Sequence, residues 1–330
     1  MILTRTPLRI PLGGGGTDLP TFYQQHGGFV FSAAIDKYMY ISIVRPILDS
    51  LVRIKYSRTE VVENVTQVKN QLAQAALEYY GIKDKIEITS TADVPAGTGM
   101  GSSGSYLVGL LKGLQALTRQ SSSVQELAEL ACHIEIDLLR KPVGKQDQYL
   151  AAYGGFTVLN IDKNGLVQVS EAAVSHEIAE ELQSKLLLFF TGITRDAMVI
   201  LSEQGVAVEK KESDVTKSLL RIKEIGLEIK SSIEAGNLDN FGRLMDEHWK
   251  VKKTMSTKMS DPNMDRLYEL AKERGALGGK IMGAGGGGFF VFYCPGEKEK
   301  KGVRDIMKLN GLVEMPFSFE KEGAKTLVGF

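Results

Sequence analysis

The chain has 330 residues, and its 40 Lys and Arg residues balance its 40 Asp and Glu residues, so its formal net charge at pH 7 is zero. This balance excludes a general attraction to nucleic acid or to an anionic membrane. No apolar run reaches the roughly 18 residues that a membrane span needs, and we expect the charged N-terminus not to be a signal peptide. Cys132 and Cys294 lack metal-type spacing, so we expect no disulfide framework and a cytoplasmic protein.

The first half of the chain predicts strands and helices separated by glycine-rich loops. Alternation and β-branched or aromatic residues predict strands over 28–35, 38–44, 85–91 and 156–161. Helical periodicity predicts helices over 64–80 and 106–117. A capping box at 123–126 predicts the start of a further helix that runs to about residue 140.

The second half of the chain is dominated by predicted helices. We expect strands over 186–190 and near 312–319, short strands around the glycines of 278–288, and helices over 207–235, 237–253, 261–274 and 297–309. The change in character places a domain boundary near residue 175, which gives an N-terminal unit of residues 1–175 and a C-terminal unit of residues 176–330.

A glycine–serine loop, residues 95–105, connects a predicted strand to a predicted helix. Glycines let a ligand approach the backbone closely, and the free amides of a helix N-terminus favour an anion. It is neither a Walker loop nor a dinucleotide fingerprint. A tight turn without a ligand is the alternative, but three alternating glycines and paired hydroxyls exceed what a turn requires. We predict nucleotide binding by Pro95, Gly97, Thr98, Gly99, Met100, Gly101, Ser102, Ser103 and Gly104.

Three further segments carry candidate chemistry. Arg9 leaves a strand just before a glycine loop that bears Thr17 and Asp18, where a guanidinium can neutralise a phosphate and a carboxylate can bind a sugar; a hairpin with a surface carboxylate fits equally well. Glu135 and Asp147 would suit a magnesium site or an acceptor hydroxyl, although spacing alone favours a solvated salt-bridge partner for Glu135. The segment 278–288 is interpreted as a second loop closing over the first loop or the nucleotide, with close packing as the alternative. The four histidines show no ligand spacing.

The ordered motifs at residues 5–18, 95–105 and 280–289 resemble the three signature motifs of the GHMP kinases, a superfamily of small-molecule kinases. Met100 stands at a position where the family has leucine. The resemblance implies an α+β, two-lobed fold, with an N-terminal lobe like ribosomal protein S5 domain 2 and a ferredoxin-like α/β C-terminal lobe. It also implies ATP and Mg²⁺ as cofactors and a small-molecule sugar or sugar phosphate as partner, with no nucleic acid or membrane partner; it leaves the oligomeric state open.

The resemblance also implies roles for individual residues. Ser103 and Glu135 would bind magnesium, Asp147 would be the catalytic acidic residue, and Arg9 would lie near the reacting oxygen. Here the resemblance overrides the solvated interpretation of Glu135. Substrate binding is expected at Gly15, Gly16, Thr17, Asp18, Asp147, Tyr153, Gly154, Arg195 and Gly285.

One departure from the galactokinases narrows the expected acceptor. Those enzymes carry an acidic residue and a histidine where this chain has Gly15 and Gly16, so a larger sugar would fit. The N-terminal motif resembles a subgroup of sugar 1-kinases, the D-glycero-α-D-manno-heptose 7-phosphate kinases. The expected reaction is phosphorylation of the anomeric hydroxyl to give the 1,7-bisphosphate. Lys37, Arg140 and Arg195 are candidates to bind the 7-phosphate. Kinases of fucose, galactose or mannose remain alternatives, as do a catalytically silent sugar or nucleotide sensor and a dinucleotide-dependent oxidoreductase.

Overall fold

The computed structural model describes residues 1–194, 201–203, 206, 208, 213–256 and 258–328. Two β-sheets form the centre of this described part. The strands of the first sheet are β1 (Ile2–Gly13), β2 (Gly28–Val44), β3 (Val52–Lys55), β4 (Thr59–Val62), β5 (Ile86–Ala92), β6 (Phe156–Ile161), β7 (Val167–Glu171) and β12 (Lys325–Val328). The strands of the second sheet are β8 (Leu186–Phe190), β9 (Gly278–Ile281), β10 (Phe289–Tyr293) and β11 (Val313–Glu314).

The helices cover both sheets. In chain order they are α1 (Pro20–His26), α2 (Gln71–Tyr79), α3 (Ser102–Thr118), α4 (Val124–Cys132), α5 (Gln146–Tyr153), α6 (His176–Lys185), α7 (Ser213–Glu234), α8 (Leu238–Lys253), α9 (Pro262–Glu273) and α10 (Glu297–Leu309). No helix in the described part of the chain is long and apolar enough to cross a membrane.

The long strand β2 organises the first sheet. It pairs with β1 along its length, with β6 near its start and with β5 near its end, in each case antiparallel. The sequence predicted two strands here, over 28–35 and 38–44. The chain instead stays extended, because Asp36 and Lys37 form a bulge where the register shifts opposite Pro7 and Leu8.

Hydrophobic side chains cover both faces of the first sheet. Along β2, Val30 faces one core while Phe29 and Phe31 face another, as the two-residue period of a strand requires. The first core packs the sheet against α2, α3, α4 and α5, and the second packs it against α7, α8 and the second sheet. The first sheet, which includes β1, thus lies between a layer of helices α2–α5 on one face and α7, α8 and the second sheet on the other. The loop that leaves β1 therefore lies where the two halves of the chain meet.

Most predicted elements are confirmed, and the departures have local causes. The helix expected over 64–80 divides because Asn64 and Asn70 each cap a separate helical segment. The strand expected near 312–319 is reduced to β11, since Pro316 lacks the N–H that a ladder needs. Part of the helix expected over 207–235 lies outside the described residues.

The chain's last described strand belongs to the first sheet, although it follows the second in sequence. β12 pairs antiparallel with β1, on the edge opposite β2. The expected boundary at residue 175 lies between β7 of the first sheet and β8 of the second, but β12 returns to the first sheet from beyond it. The division into 1–175 and 176–330 stays a prediction.

Candidate active site

Loops from both halves of the chain converge on one cleft with a volume of about 650 Å³. Its walls are formed by the glycine–serine loop before α3, the loop after β1, the start of α5, one face of α8, and β9 with the glycine segment that follows it. Ligand pockets in proteins have volumes on the order of 300–1,000 Å³, so this cleft has room for a sizeable ligand.

The glycine–serine loop bends sharply and leads into the N-terminus of α3. Gly97, Gly99 and Gly101 have φ values of 77°, 78° and 79°, a region that favours glycine. The helix begins at Ser102 without a side-chain cap, so its first amides can serve another acceptor. The buried hydroxyl of Ser102 has no hydrogen-bond partner among the described residues, whereas Ser103 is exposed. An anion at this helix start would satisfy these donors.

The second glycine segment packs against the first loop. A Cβ atom on Gly99 would lie 2.5 Å from the carbonyl oxygen of Met282, and a Cβ on Gly283 would lie 2.6 Å from Cα of Gly99. No side chain fits at such distances, so the glycines allow the two backbones to touch. This contact connects the N-terminal loop to the C-terminal half of the chain, as the sequence predicted.

Arg9 and Asp147 form an ion pair at the floor of the cleft. Nε and Nη2 of Arg9 lie 2.9 and 2.7 Å from Oδ1 of Asp147, and Nη1 of Arg9 donates to the carbonyl oxygen of Gly99. The side chains of Arg9 and Asp147 are 7% and 28% exposed, so the guanidinium is enclosed and the carboxylate reaches the cleft. Gly104 permits this arrangement, because its Cβ would lie 2.7 Å from Cβ of Asp147.

The carboxylate of Asp18 connects the loop after β1 to the start of α5. Its Oδ2 accepts a hydrogen bond from the backbone N–H of Gln146 at 2.9 Å, and its Oδ1 accepts one from Gly16 at 3.1 Å. Burial raises the pKa of Asp18, and the charge of Asp147 acts in the same direction. Asp18 therefore holds Gln146, the residue next to Asp147, in place. A sugar hydroxyl that donated a hydrogen bond to Asp18 would stabilise the charged form of Asp18.

Glu135 lies inside the cleft and not on a solvated helix face. A π-helical turn, His133–Leu138, follows α4, and Glu135 within it is 1% exposed; such turns are frequent at functional sites. Its Oε2 accepts a hydrogen bond from Gln148 at 2.8 Å, and its Oε1 lies 3.8 Å from Nζ of Lys141. Burial raises the pKa of Glu135, and the charge of Asp147 raises it further. A divalent cation would relieve both effects.

Three buried basic side chains from the second half of the chain also line the cleft, and sequence reasoning missed them: His248 and Lys252 from α8 and Lys280 from β9. They are 2%, 8% and 2% exposed, respectively. Burial lowers the pKa of Lys252 to about 8, and Arg9 acts in the same direction. Burial also lowers the pKa values of Lys280 and His248. The sequence pattern that could have indicated two of them is the four-residue spacing of His248 and Lys252, which places both on an otherwise apolar helix face.

Another part of the cleft is lined by Tyr56, Asn70, Leu72, Ser90 and Tyr106. These residues come from separate strands, helices and loops and form no motif, so no pattern in the sequence indicated them. Their mixture of apolar surface and a few hydrogen-bonding groups is typical of small-molecule binding pockets.

Some of the predicted site residues stabilise the loops and do not line the cleft. Thr98 and Met100 are buried, and Oγ1 of Thr98 donates to the carbonyl oxygen of Pro95 at 2.9 Å. Oγ1 of Thr17 contacts the carbonyl oxygen of Phe29 at 2.7 Å and accepts from the N–H of the same residue at 3.0 Å. These hydroxyls hold the loops in shape and are not directed at the cleft.

The substrate-binding roles predicted for Tyr153, Gly154 and Gly285 do not fit their positions. Tyr153 stacks on a neighbouring tyrosine at a ring distance of 6.1 Å, Gly154 packs against the backbone of Glu322, and Gly285 packs against Met259. Within the part of the chain that is described, none of the three lines the cleft. Their motifs lie near the site, but these residues themselves face other parts of the protein.

The basic residues predicted to meet a distal phosphate are also not found in the cleft. Lys37 pairs with its neighbour Asp36 at 2.7 Å, and Arg140 is exposed; neither is among the described lining residues. Arg195 lies outside the described residues. The predicted residues that do line the cleft are Arg9, Gly15, Gly16, Asp18, Pro95, Gly97, Gly99, Gly101, Ser102, Ser103, Glu135 and Asp147.

Comparison with known proteins identifies the family. The family description "GHMP kinases N terminal domain" matches residues 66–155, and "GHMP kinases C terminal" matches residues 229–311. A D-glycero-alpha-D-manno-heptose 7-phosphate kinase of Campylobacter jejuni is 30% identical over 336 aligned positions, which cover 98% of each chain. The chain belongs to the GHMP kinases.

Solved structures agree with this assignment. A D-glycero-D-manno-heptose 1-phosphate kinase from Bacteriodes thetaiotaomicron has a TM-score of 0.81 and 26% identity, with 100% of both chains covered. A Lactococcus lactis galactokinase complexed with galactose has a TM-score of 0.77 over 99% of this chain and 95% of its own, but its 18% identity shows the fold alone. The expected fold is thus confirmed, and this GHMP kinase is an ATP-dependent enzyme.

Proposed function

We propose that this GHMP kinase is a sugar kinase that transfers the γ-phosphoryl group of ATP to the anomeric hydroxyl of a heptose 7-phosphate, giving the 1,7-bisphosphate. The observation that carries the proposal is the Arg9–Asp147 ion pair, which lies between the glycine–serine loop and the loop bearing Asp18. Two full-length relatives, named above, are called heptose phosphate kinases. The names of these two relatives differ in the position of the phosphate, so the acceptor is the part of the proposal that needs testing.

Asp147 is well placed to receive the acceptor hydroxyl. Arg9 occupies only its Oδ1, and no described residue hydrogen-bonds to its Oδ2. An anomeric hydroxyl is more acidic than an ordinary alcohol, so a carboxylate can accept its proton or orient it. The enclosed guanidinium of Arg9 then stabilises negative charge that develops on the attacking oxygen.

The nucleotide fits the remaining parts of the cleft. The uncapped start of α3 and the unpartnered hydroxyl of Ser102 suit phosphate oxygens. The pocket that includes Tyr56, Leu72 and Tyr106 suits a purine ring. Phosphoryl transfer requires mainly positioning and charge stabilisation, and this division of the cleft supplies the positioning.

The residues present also fit a magnesium ion. Among the described residues, no group of three or more His, Cys, Asp or Glu side chains is placed to hold a metal ion by itself. Mg²⁺ in kinases, however, commonly needs only one or two carboxylates together with substrate phosphates. Glu135 supplies a buried carboxylate, and Ser103 an exposed hydroxyl close to it. When bound, Mg²⁺ neutralises the β- and γ-phosphate oxygens.

The isosteric variant Glu135→Gln tests the metal role. We expect the Mg²⁺ concentration for half-maximal activity to rise by about tenfold or more, because the amide loses the charge that attracts the cation. A Mg²⁺ titration at saturating ATP and acceptor measures this shift. Asp137→Asn, an exposed carboxylate of the same π-turn, serves as the control and should leave the titration unchanged. An unaltered titration for Glu135→Gln would remove Glu135 from the metal site.

The acceptor is tested by a screen with the wild-type enzyme. ADP release is measured with heptose 7-phosphate, the unphosphorylated heptose, fucose, galactose and mannose, and ³¹P NMR locates the new phosphate. We expect the highest kcat/KM for heptose 7-phosphate and a product phosphorylated at C1. A higher kcat/KM for an unphosphorylated hexose would instead favour the alternative sugar kinase, and a product phosphorylated at a carbon other than C1 would contradict the proposed reaction.

A catalytically silent sensor is the alternative from a different class. Such a protein would bind nucleotide and sugar without releasing ADP in any arm of the screen. The intact set of Ser103, Glu135, Asp147 and Arg9 argues against it, because a sensor has no need to retain both carboxylates. Cys132 and Cys294 are free and buried, and a cytoplasmic location stays a prediction.

A further inference from the structure

The basic residues that α8 and β9 contribute to the cleft have no acidic partner in the described structure. Nζ of Lys280 lies 2.8 Å from the carbonyl oxygen of Leu12, and Nζ of Lys252 donates to the carbonyl oxygen of Gly283. Neither ammonium forms an ion pair with any carboxylate of the described residues. Both side chains are at least nine-tenths buried, so each carries a desolvation cost that its carbonyl contact does not offset.

His248 supplies an independent observation at the same place. It lies one helical turn before Lys252 on α8, it lines the cleft, and it is 2% exposed. Neither ring nitrogen has a hydrogen-bond partner among the described residues. Because a buried polar group is normally hydrogen-bonded, the imidazole lacks a partner that a ligand in the cleft would provide.

We propose that His248, Lys252 and Lys280 form the binding site for a phosphate group that the acceptor sugar already carries. The proposal rests on the function proposed above and names the residues that would recognise this substrate. Arg9 does not compete for the group, since Asp147 already neutralises it. Two ammonium groups match the charge of a phosphomonoester, which is about −1.5 to −2 at neutral pH, and the imidazole adds a further hydrogen bond.

The position of the cluster favours the acceptor's phosphate over those of ATP. Lys280 binds the residue that leads directly into the acceptor loop of Gly13–Asp18, through the carbonyl oxygen of Leu12. The phosphates of ATP have their own donors at the start of α3, namely the uncapped amides and the hydroxyl of Ser102. The cluster is therefore free to bind a second phosphate, and it discriminates a phosphorylated sugar from an unphosphorylated one.

The variant Lys252→Met tests this assignment with two acceptors that differ only in the phosphate. We expect kcat/KM for heptose 7-phosphate to fall by about 30-fold or more, as for the loss of one partner of a buried charged contact. kcat/KM for the unphosphorylated heptose and KM for ATP should change by less than about threefold, since Lys252 contacts neither the unphosphorylated sugar nor ATP in this proposal. Lys252→Arg should recover part of the loss. An equal loss with both acceptors would overturn the proposal and assign Lys252 to the transferred phosphoryl group.

Matched variants separate this role from a structural one. Lys250→Met removes a charge from the same helix at an exposed side chain paired with Asp246 and should leave both acceptors unaffected. His248→Phe keeps a buried ring but removes both nitrogens, and should weaken the phosphorylated acceptor selectively. Thermal unfolding should show that Lys252→Met is folded and no less stable than the wild type, because a buried unpaired charge is removed.

Direct binding of inorganic phosphate keeps this inference separate from the proposed function. Isothermal titration of the nucleotide-free enzyme should detect phosphate binding in wild type and in Lys250→Met, and binding at least about tenfold weaker in Lys252→Met. If the acceptor screen selects an unphosphorylated sugar but phosphate still binds through Lys252, the phosphate site stands, and the proposed acceptor is wrong both as the substrate and as the source of that phosphate. Equal phosphate binding by wild type and Lys252→Met would overturn the assigned site whatever the acceptor.

Discussion

Replacing Asp147 by Asn should lower the turnover number by about 10³-fold, within the range usual for the loss of a positioned acid–base group. Oδ1 of Asp147 accepts two hydrogen bonds from Arg9, at 2.9 and 2.7 Å. In the variant, the amide oxygen will keep this contact with the guanidinium, so the amide nitrogen will face the acceptor. An N–H group there donates a hydrogen bond and cannot receive the proton of the sugar hydroxyl.

The measurements for this variant separate chemistry from binding. ATP affinity, determined by titration with a non-hydrolysable analogue, should stay within about threefold of the wild type, because the substitution does not alter the glycine–serine loop. Asp137→Asn provides a matched control at an exposed carboxylate. Turnover within tenfold of the wild type would show that Asp147 only supports the position of Arg9 and does not act on the acceptor.

The parts of this site that the sequence predicted are those carried by contiguous motifs. The glycine–serine loop and Arg9 could be located because local backbone requirements, such as positive φ at Gly99, demand particular residues at fixed spacings. Asp147 and Glu135 were weaker predictions from spacing alone, and the family resemblance supplied their roles. The π-turn that buries Glu135 could not be predicted, since its sequence continues an ordinary helical pattern.

The spacing of His248 and Lys252 places them on one helix face, but the basic cluster as a whole could not be predicted because tertiary packing creates it. His248 and Lys252 lie on α8 and Lys280 on β9, and they meet Arg9 of β1 only when the second half of the chain packs against the first sheet. In the sequence these are ordinary charged residues in a helix and a strand. Likewise, nothing local to β12 indicates that it returns to the edge of the first sheet next to β1.

Replacing Gly99 by Ala should raise KM for ATP and lower kcat/KM by about 100-fold, which corresponds to nearly 3 kcal/mol. Two effects add. Gly99 has φ of 78°, where a residue other than glycine is strained by about 1–3 kcal/mol. Its new Cβ would also lie 2.5 Å from the carbonyl oxygen of Met282. Because Met282 belongs to the backbone of the second glycine segment, the contact can be relieved only by moving one loop away from the other.

That displacement is expected to affect both substrates, because the carbonyl oxygen of Gly99 also accepts a hydrogen bond from Arg9. Gly81→Ala is the matched control: its φ of 65° imposes a similar strain, but no atom lies within 4 Å of the added methyl group. Steady-state kinetics with varied ATP should therefore show a large defect for Gly99→Ala and none for Gly81→Ala, although both variants should lose comparable backbone stability. If Gly99→Ala keeps the wild-type KM for ATP, the contact between the two glycine segments does not shape the nucleotide site, and the strain at Gly99 has only a structural cost.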